Sequence, residues 1–337
     1  MSSRPRAAII LAAGHGKRMK SAMAKPLHEI AGRSMLDWSL ALADAVKADR
    51  KVVVWGAHAP EVKTQAEAAG AETAVQDPPQ GTGHAVQQAQ DALSGFEGDV
   101  IVLYADTPLI QPETVERVFD ALGEGAAVSV LGFEPDAPGG YGRLIEKAEG
   151  GLEAIVEAKD ASADKLKVRL CNSGVLAMPA KLMFELLGEV TNENASGEYY
   201  LTDLVGLARG RGLSAKAVKA DADEVLGVNS RVDLADAEAA FQARARHSAM
   251  VEGVTLIAPE TVFFSHDTRI ENDVVVEPHV VFGPGVVVKS GVRIRAYSHL
   301  EGAEVHGGCE VGPYARLRPG AVLKAGVKVG NFVEVKK

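Results

Sequence analysis

A chain of 337 residues is larger than a usual single core, and its 47 % hydrophobic and 24 % charged residues are ordinary for a soluble globular protein of two domains. A net charge of −9 excludes a general nucleic-acid or anionic-membrane binder, which needs the opposite sign, but leaves room for a nucleotide held in a local cationic pocket. Cys171 and Cys309 stand far apart with no CxxC or zinc spacing, which fits a reducing cytoplasm, and neither a signal peptide nor the ~18–20 apolar residues of a membrane span is visible.

The apolar run Ala7 to Ala12 predicts a buried strand, and it opens into a loop with Gly14 and Gly16 followed by the cations Lys17, Arg18 and Lys25. Glycines let backbone N–H groups approach a ligand, and fixed cations neutralise phosphate charge. A strand feeding such a loop at the edge of an α/β sheet is a common seat for a nucleotide. Two familiar motifs do not fit. Arg18 follows Gly16-Lys17 where a Walker A loop needs Ser or Thr, and Met19 stands where a dinucleotide fingerprint needs glycine. An ordinary strand–turn–helix junction is the alternative reading of the same loop.

Ser34 to Val46 carries apolar residues at helical spacing, Lys51 to Trp55 is a second short strand, and Pro60 to Ala69 is an alanine-rich helix. Val100 to Tyr104 is a third strand, ended by Ala105-Asp106-Thr107-Pro108; Pro112 to Leu122 predicts a helix and Ala126 to Leu131 another strand. Strands separated by helices of this length imply parallel βαβ units of an α/β fold, with ligands near the carboxyl ends of the strands. Ala235 to Met250, without Gly or Pro, predicts a solvated connecting helix.

Several stretches carry chemistry. In Asp77 to Ala85 a rigid Pro-Pro turn precedes Gly81 and Thr82, where Thr82 is placed to cap a helix and the glycines free the backbone to bond a flat ligand. The Gln76 amide can read a base edge with a paired donor and acceptor. Asp106, at a strand's carboxyl end, is placed either to ligate Mg²⁺ or to cap the turn before Pro108. Asn229 offers a second oxygen to pair with it. Gly139 to Arg143 is another glycine cluster, and Glu157 and Asn172 at strand edges suit polyhydroxyl recognition or a purely structural role.

Beyond the connecting helix the texture changes. Val276, Phe282, Val288, Ile294 and Leu300 fall six residues apart, and after a one-residue slip Val311, Leu317, Leu323, Val329 and Val335 resume the count. Four residues after most of these comes another small or aliphatic residue, from Val280 to Val333. A hexapeptide period of this kind predicts a parallel β-helix. The pattern runs to Lys337 without a capping element, so the chain reads as truncated within the solenoid.

In order along the chain stand Leu-Ala-Ala-Gly-x-Gly-x-Arg-Met (11–19), Gln-Gly-Thr-Gly-His-Ala (80–85), Tyr-Ala-Asp-Thr-Pro-Leu (104–109), Gly-Tyr-Gly-Arg (140–143), Ile-Val-Glu-x-Lys-Asp (155–160), Asn-Ser-Gly (172–174) and Gly-Val-Asn (227–229). This series resembles the sugar-nucleotide pyrophosphorylases. With the hexapeptide solenoid attached, it resembles the bacterial bifunctional N-acetylglucosamine-1-phosphate uridyltransferases/glucosamine-1-phosphate acetyltransferases, from Ala7 to Lys337. The resemblance implies a Rossmann-like nucleotidyltransferase domain over 1–230, a linker helix over 231–252 and a left-handed β-helix over 253–337.

It further implies transfer of uridylyl from UTP to N-acetylglucosamine-1-phosphate, giving UDP-N-acetylglucosamine and pyrophosphate for cell-wall precursors. Leu11, Ala12, Ala13 and Gly14 would hold the nucleotide, with Arg18 and Lys25 on its phosphates. Gln76, Gly81 and Thr82 would read uracil. Tyr104 and Ala105 join Asp106 in binding substrate, Gly142, Glu157 and Asn172 take the N-acetylglucosamine moiety, and Asp106 and Asn229 hold Mg²⁺. Arg318 and Lys336 match the sugar-phosphate-binding cations of the family's acetyltransferase activity, whose catalytic histidine lies beyond residue 337, so that activity is expected to be absent. His266, His279, His299 and His306 lie outside that motif and are expected at solenoid surface or turn positions. Lys17 departs from the usual Thr or Ser, and Ala24-Lys25-Pro26 from the usual Pro-Lys pair. A homotrimer through the solenoid is also implied. The alternatives are another sugar-1-phosphate nucleotidyltransferase, and a non-catalytic regulatory subunit of the same fold.

Overall fold

The computed structural model describes residues 4–147 and 150–337. They form two compact units: residues up to His28 with Ser34–Asp233, and Glu29–Arg33 with Leu234–Lys337. The elements begin with β1 (Arg6–Ala12), the two-residue strands β2 (Glu29–Ile30) and β3 (Arg33–Ser34), α1 (Met35–Ala45), β4 (Arg50–Gly56) and α2 (Pro60–Ala68). Next come β5 (Glu72–Gln76), α3 (Thr82–Gln87), β6 (Asp99–Tyr104), α4 (Pro112–Gly123), β7 (Val128–Phe133), β8 (Arg143–Glu146) and β9 (Leu152–Val156). The chain continues through α5 (Ala163–Leu166), β10 (Cys171–Pro179), α6 (Ala180–Leu187), α7 (Asp203–Gly210), β11 (Ala215–Lys219) and α8 (Arg231–Val251).

The main sheet of the first unit has the order β11-β7-β10-β6-β1-β4-β5, with the β8–β9 hairpin joined to β10. Successive side chains of a strand point to opposite faces, and the burial follows that alternation. Ala7 and Ile9 of β1 pack into one core with α3, α6 and α7. Ala8, Ile10 and Ala12 pack into the other with α1, α2 and α4. Both faces are therefore covered, which is why β1 and β6 read as unbroken apolar runs rather than alternating ones.

Three strands depart from the parallel pattern the sequence predicts: β8 and β9 form an antiparallel hairpin, and β10 runs antiparallel to β6, β7 and β8. A parallel return needs a crossover of about a dozen residues, usually a helix. The chain instead reaches β10 through the β8–β9 hairpin and the four-residue α5. Near its start β10 carries a register shift between Asn172 and Leu176. The Ser34 hydroxyl caps α1 by accepting from the Asp37 N–H at 3.0 Å. Thr82 is not a cap, since Gly81 takes that position of α3.

The second unit is a left-handed parallel β-helix of two-residue strands. Val276, Ile294, Val311 and Val329 stack on one of its sheets and Phe282, Leu300, Leu317 and Val335 on another. The slip in the hexapeptide count lies between Leu300 and Val305, both core residues. Val280, Val286, Val292, Ala315 and Ala321 are buried as well, while Val327 and Val333 are exposed.

The C-terminal part of α8 is more than a solvated connector. Ala237, Phe241, Gln242 and Ala249 are buried, and the Gln242 amide donates to the Phe264 carbonyl at 2.6 Å and accepts from its N–H at 2.8 Å. No sequence signal assigned the 29–33 turn to this unit. There the Ala31 N–H donates to Glu238 Oε2 at 2.7 Å, and the Ala31 carbonyl accepts from the His266 N–H at 2.9 Å. His279 stacks on Tyr297, Tyr297 on Tyr314, and Tyr314 on Phe332, an aromatic ladder running up the solenoid with Tyr297, Tyr314 and Phe332 exposed. His299 is an exposed strand residue and His306 pairs with Glu304 at 3.1 Å.

Candidate active site

The carboxyl ends of β1, β5 and β6 border a cleft of about 400 Å³ in the first unit. From β1 and the loop after it come Leu11, Ala12, Ala13, Gly14 and His15. The loop then turns through Gly16, whose φ is +60°, into the short turn Lys17–Met19, with Met19 buried beneath it. A Cβ at Gly16 would sit 2.6 Å from the Lys25 Cβ, so the glycine is what allows the Lys25 stem to lie against the loop.

That stem delivers its ammonium to two oxygens. Lys25 Nζ lies 2.5 Å from Asp106 Oδ2 and 3.1 Å from Asn229 Oδ1. The lysine side chain is only 10 % exposed and the carboxylate 24 %, so the pair is shielded from water. Asn229 is held by its backbone: its N–H and that of Ser230 both donate to Asp233 Oδ2, at 2.9 and 2.8 Å, and the Ser230 hydroxyl accepts from the Asp233 N–H at 3.3 Å. This reciprocal cap sets the start of α8. The preceding Val228 N–H donates to the Asp106 carbonyl at 2.8 Å, which ties the two oxygen donors together. Arg231 completes the brace by donating to the Met19 carbonyl at 3.3 Å and to His28 Nδ1 at 3.2 Å. Burial, and then the Arg231 charge, lower the His28 pKa.

Asp106 and Asn229 thus point their oxygens at one cationic position, the donor chemistry a hard divalent ion takes. Among the described residues no group of three or more His, Cys, Asp and Glu side chains is arranged to hold a metal. Two oxygens suit an ion that keeps most of its shell for water and phosphate rather than one caged by protein.

At the opposite end of the cleft, Gln76 is the last residue of β5 and 5 % exposed. Its amide nitrogen donates to the Gly81 carbonyl at 2.9 Å and lies 3.2 Å from His84 Nδ1. Its oxygen meets no donor among the described residues. Gly81 has φ +108°, and a Cβ there would stand 2.6 Å from the Tyr199 carbonyl oxygen. Only glycine fits. The turn is pinned from outside by the Tyr199 N–H on the Gln80 carbonyl, the Gly83 N–H on the Tyr199 carbonyl and the Leu201 N–H on the Thr82 hydroxyl, at 2.9, 2.8 and 3.0 Å. Thr82 therefore spends its hydroxyl on positioning this turn and on a side-chain bond with Tyr104.

Tyr104 ends β6, and its ring fills the space left by Gly174 in the irregular start of β10. Burial, with Asp106 and Glu157 nearby, pushes its hydroxyl pKa up. Behind it the Asn172 N–H donates to the Gly142 carbonyl at 2.9 Å, and the Asn172 side-chain oxygen accepts from the Gly174 N–H at 3.0 Å. A Cβ on Gly142 would lie 3.4 Å from Glu157 Oε2, and the Thr202 hydroxyl donates to Glu157 Oε1 at 3.1 Å. Burial raises the Glu157 pKa, against the opposing pull of the Thr202 hydrogen bond.

Of the residues singled out from the sequence, Leu11, Ala12, Ala13, Gly14, Lys25, Gln76, Gly81, Thr82, Tyr104, Ala105 and Asp106 line the cleft. Asn229 reaches it through Lys25. Gly142, Glu157 and Asn172 gather together behind Tyr104. Arg18 and Lys17 are exposed on the turn after the loop, outside the lining. Arg318 and Lys336 lie in the second unit, both against Glu334, at 3.6 and 3.3 Å.

Sequence reasoning missed His15, Pro26, Pro79, Ala85 and Glu198 as lining residues. The first four fall inside stretches already marked by their glycines and cations. Glu198 arrives from a distant loop and had no local signal. His58 was missed too: its ring stacks on His15 with centroids 4.0 Å apart, and burial, followed by the His15 charge, lowers its pKa.

Residues 8–168 match the MobA-like NTP transferase domain family. The bifunctional protein GlmU of Maricaulis maris is 66 % identical over 268 residues, covering 80 % of this chain and 59 % of the relative. GlmU of Hyphomonas neptunium is 55 % identical over 323 residues (93 % of this chain, 68 % of the relative), and that of Azorhizobium caulinodans 52 % over 338 residues (100 % and 75 %). The chain thus spans 59 to 75 % of the length of these relatives. A solved structure of UDP-glucose pyrophosphorylase complexed with UDP-glucose superposes with a TM-score of 0.57 at 17 % identity, over 71 % of this chain and 99 % of that one, and so shares the fold. No helix among the described residues is long and apolar enough to cross a membrane.

Proposed function

The chain belongs to the bifunctional GlmU family, and we propose that its first unit transfers a uridylyl group from UTP to N-acetylglucosamine-1-phosphate, releasing pyrophosphate and forming UDP-N-acetylglucosamine. The observation that carries this reading is the pairing, in one cleft, of a cation focus with a polarised base edge. At the focus Lys25 Nζ meets Asp106 and Asn229. At the edge Gln76 offers an acceptor beside the Gly81 N–H, which donates to no described residue. Uracil presents N3–H and O4, the complement of that pair. Cytosine presents the reverse.

The reaction asks for an oxygen of the sugar phosphate to attack the α-phosphorus of UTP while pyrophosphate leaves. A phosphate monoester is already anionic, so no general base is required. The demand is for alignment and for cations around the charge that develops on the transferring group. Leu11 to Gly14 bring backbone to the nucleotide, Lys25 supplies a shielded positive charge, and Arg18 stands exposed where an incoming polyphosphate can recruit it. Glu157, Asn172 and Gly142 form a hydrogen-bonding wall for the sugar hydroxyls and amide. Asp106 and Asn229 would hold Mg²⁺, and the ion would supply positive charge against the phosphates.

For the second unit we assign Arg318 and Lys336, which both lie beside Glu334, to sugar-phosphate binding on the strength of the family resemblance alone. The exposed aromatic ladder favours assembly through the solenoid, the homotrimer itself follows the family resemblance, and a monomer mass by light scattering would refute it. The two buried, unpaired cysteines fit a cytoplasmic protein.

The test of the main activity is pyrophosphate release from UTP, Mg²⁺ and N-acetylglucosamine-1-phosphate. Release no greater than from an Asp106→Asn variant overturns it. Substituting other sugar phosphates and nucleotides in the same assay separates it from other sugar-1-phosphate nucleotidyltransferases. Nucleotide binding without turnover would identify a regulatory subunit.

A further inference from the structure

We infer that His84 is the positioning residue that makes the cleft choose uridine over cytidine nucleotides, by locking the Gln76 carboxamide with its oxygen toward the base. The inference rests on the uridylyl-transfer reading above and goes one step deeper into its specificity.

A carboxamide is nearly symmetrical in shape, so half a turn about its last bond exchanges acceptor for donor at almost no covalent cost. Which face it shows a ligand is decided by what holds its other atoms. The buried Gln76 amide has two N–H groups, and each has a separate partner. One donates to the Gly81 carbonyl at 2.9 Å, and the other points to His84 Nδ1 at 3.2 Å. Both donors being used on the protein side, the oxygen is left for the cleft.

The Gly81 carbonyl is a shared acceptor, since it also takes the Ala85 N–H at 3.1 Å, so it is a weak lock by itself. His84 is the second lock. With Nδ1 accepting from Gln76 the ring carries its proton at Nε2, the commoner tautomer of a neutral imidazole, and burial, which lowers its pKa, favours a neutral ring. With the proton on Nε2, turning the amide over would set its oxygen against the Gly81 carbonyl oxygen and against the Nδ1 lone pair, two repulsive contacts in place of two bonds. The turned amide would show N–H to the base, and N–H suits the N3 lone pair of cytosine. The choice of pyrimidine is therefore set by a residue that lines no part of the cleft. It stands on α3, in the turn that Tyr199 and Leu201 pin from outside.

The experiment compares kcat/KM for UTP and CTP, with the same sugar phosphate, in the wild type and in His84→Ala, His84→Leu and His84→Asn variants, with calorimetric binding of both nucleotides alongside. Leucine fills most of the ring volume, so a folding defect confined to the alanine variant leaves the comparison intact. The UTP:CTP ratio is expected to fall about tenfold in His84→Ala and His84→Leu, the effect of one lost net hydrogen bond. Asparagine returns an acceptor oxygen close to the place of Nδ1, so His84→Asn is expected to keep the ratio within about twofold. A merely structural role would lower both nucleotides together and leave the ratio unmoved. An unchanged ratio in both apolar variants, or an equal loss in His84→Asn, overturns the inference while the uridylyl reading stands. A wild type that does not prefer UTP overturns both.

Discussion

Lys25→Met is the perturbation that asks most of the proposed site. Methionine keeps an unbranched stem along Gly16 but removes the ammonium that Asp106 Oδ2 meets at 2.5 Å and Asn229 Oδ1 at 3.1 Å. Charge-assisted bonds of this kind contribute ~1.5–3 kcal/mol, and the shielding of both partners places Lys25 toward the upper part of that range. If that charge acts on the transferring phosphate, kcat/KM falls about ten- to hundredfold, since each ~1.4 kcal/mol of barrier is a factor of ten. A second consequence has the opposite sign. In the nucleotide-free protein the ammonium competes with a divalent ion for the same two oxygens, so its removal raises Mg²⁺ affinity about tenfold by the same arithmetic. Steady-state kinetics and Mg²⁺ titration calorimetry without nucleotide read the two effects separately. Turnover within about threefold of wild type, a difference of under ~1 kcal/mol, or a fall in nucleotide-free Mg²⁺ affinity, would refute the reasoning.

Three further outcomes are expected. Gly81→Ala forces a Cβ to 2.6 Å from the Tyr199 carbonyl at a φ of +108°, costing ~1–3 kcal/mol of stability by thermal unfolding and raising the KM for UTP; an unchanged melting curve would argue against the pinned turn. Glu157→Gln removes a carboxylate whose folded-state pKa burial has raised. A raised acid pKa means that the folded state holds its proton longer than the unfolded one. Its stabilising share is full below the unfolded pKa and lost as pH rises through the folded pKa, so the glutamine variant melts higher than wild type at neutral pH, with a gap that narrows on acidification, while its KM for sugar phosphate rises. A gap independent of pH would contradict this. In the solenoid, Phe282→Ala empties a buried position stacked on Phe264 with ring centroids 5.2 Å apart, and is expected to cost ~3–5 kcal/mol by denaturant titration. A loss under ~1 kcal/mol, the scale of a tolerated surface change, would mean that the coil repacks around the gap.

Much of this molecule is legible along the chain because its periodicities are local. A strand buried on both faces has to be apolar without interruption, and Ala7 to Ala12 and Val100 to Leu103 are. A coil that turns every six residues has to repeat an aliphatic residue at that interval, and the run from Val276 to Val335 does, with its slip between Leu300 and Val305. The glycines and cations of the phosphate loop are readable for the same reason, since backbone approach and charge are properties of single residues. What the chain alone could not decide depends on which distant segments meet. The reversal of β10 follows from its connections rather than its composition. Glu198 enters the cleft from a loop more than a hundred residues beyond Gly81. Thr82 turned from a predicted cap into an acceptor for Leu201. The seat of Lys25 between Asp106 and Asn229, and the face that Gln76 turns to the base, are hydrogen-bond geometries set by partners on separate elements, and only the packed tertiary structure brings those partners within reach.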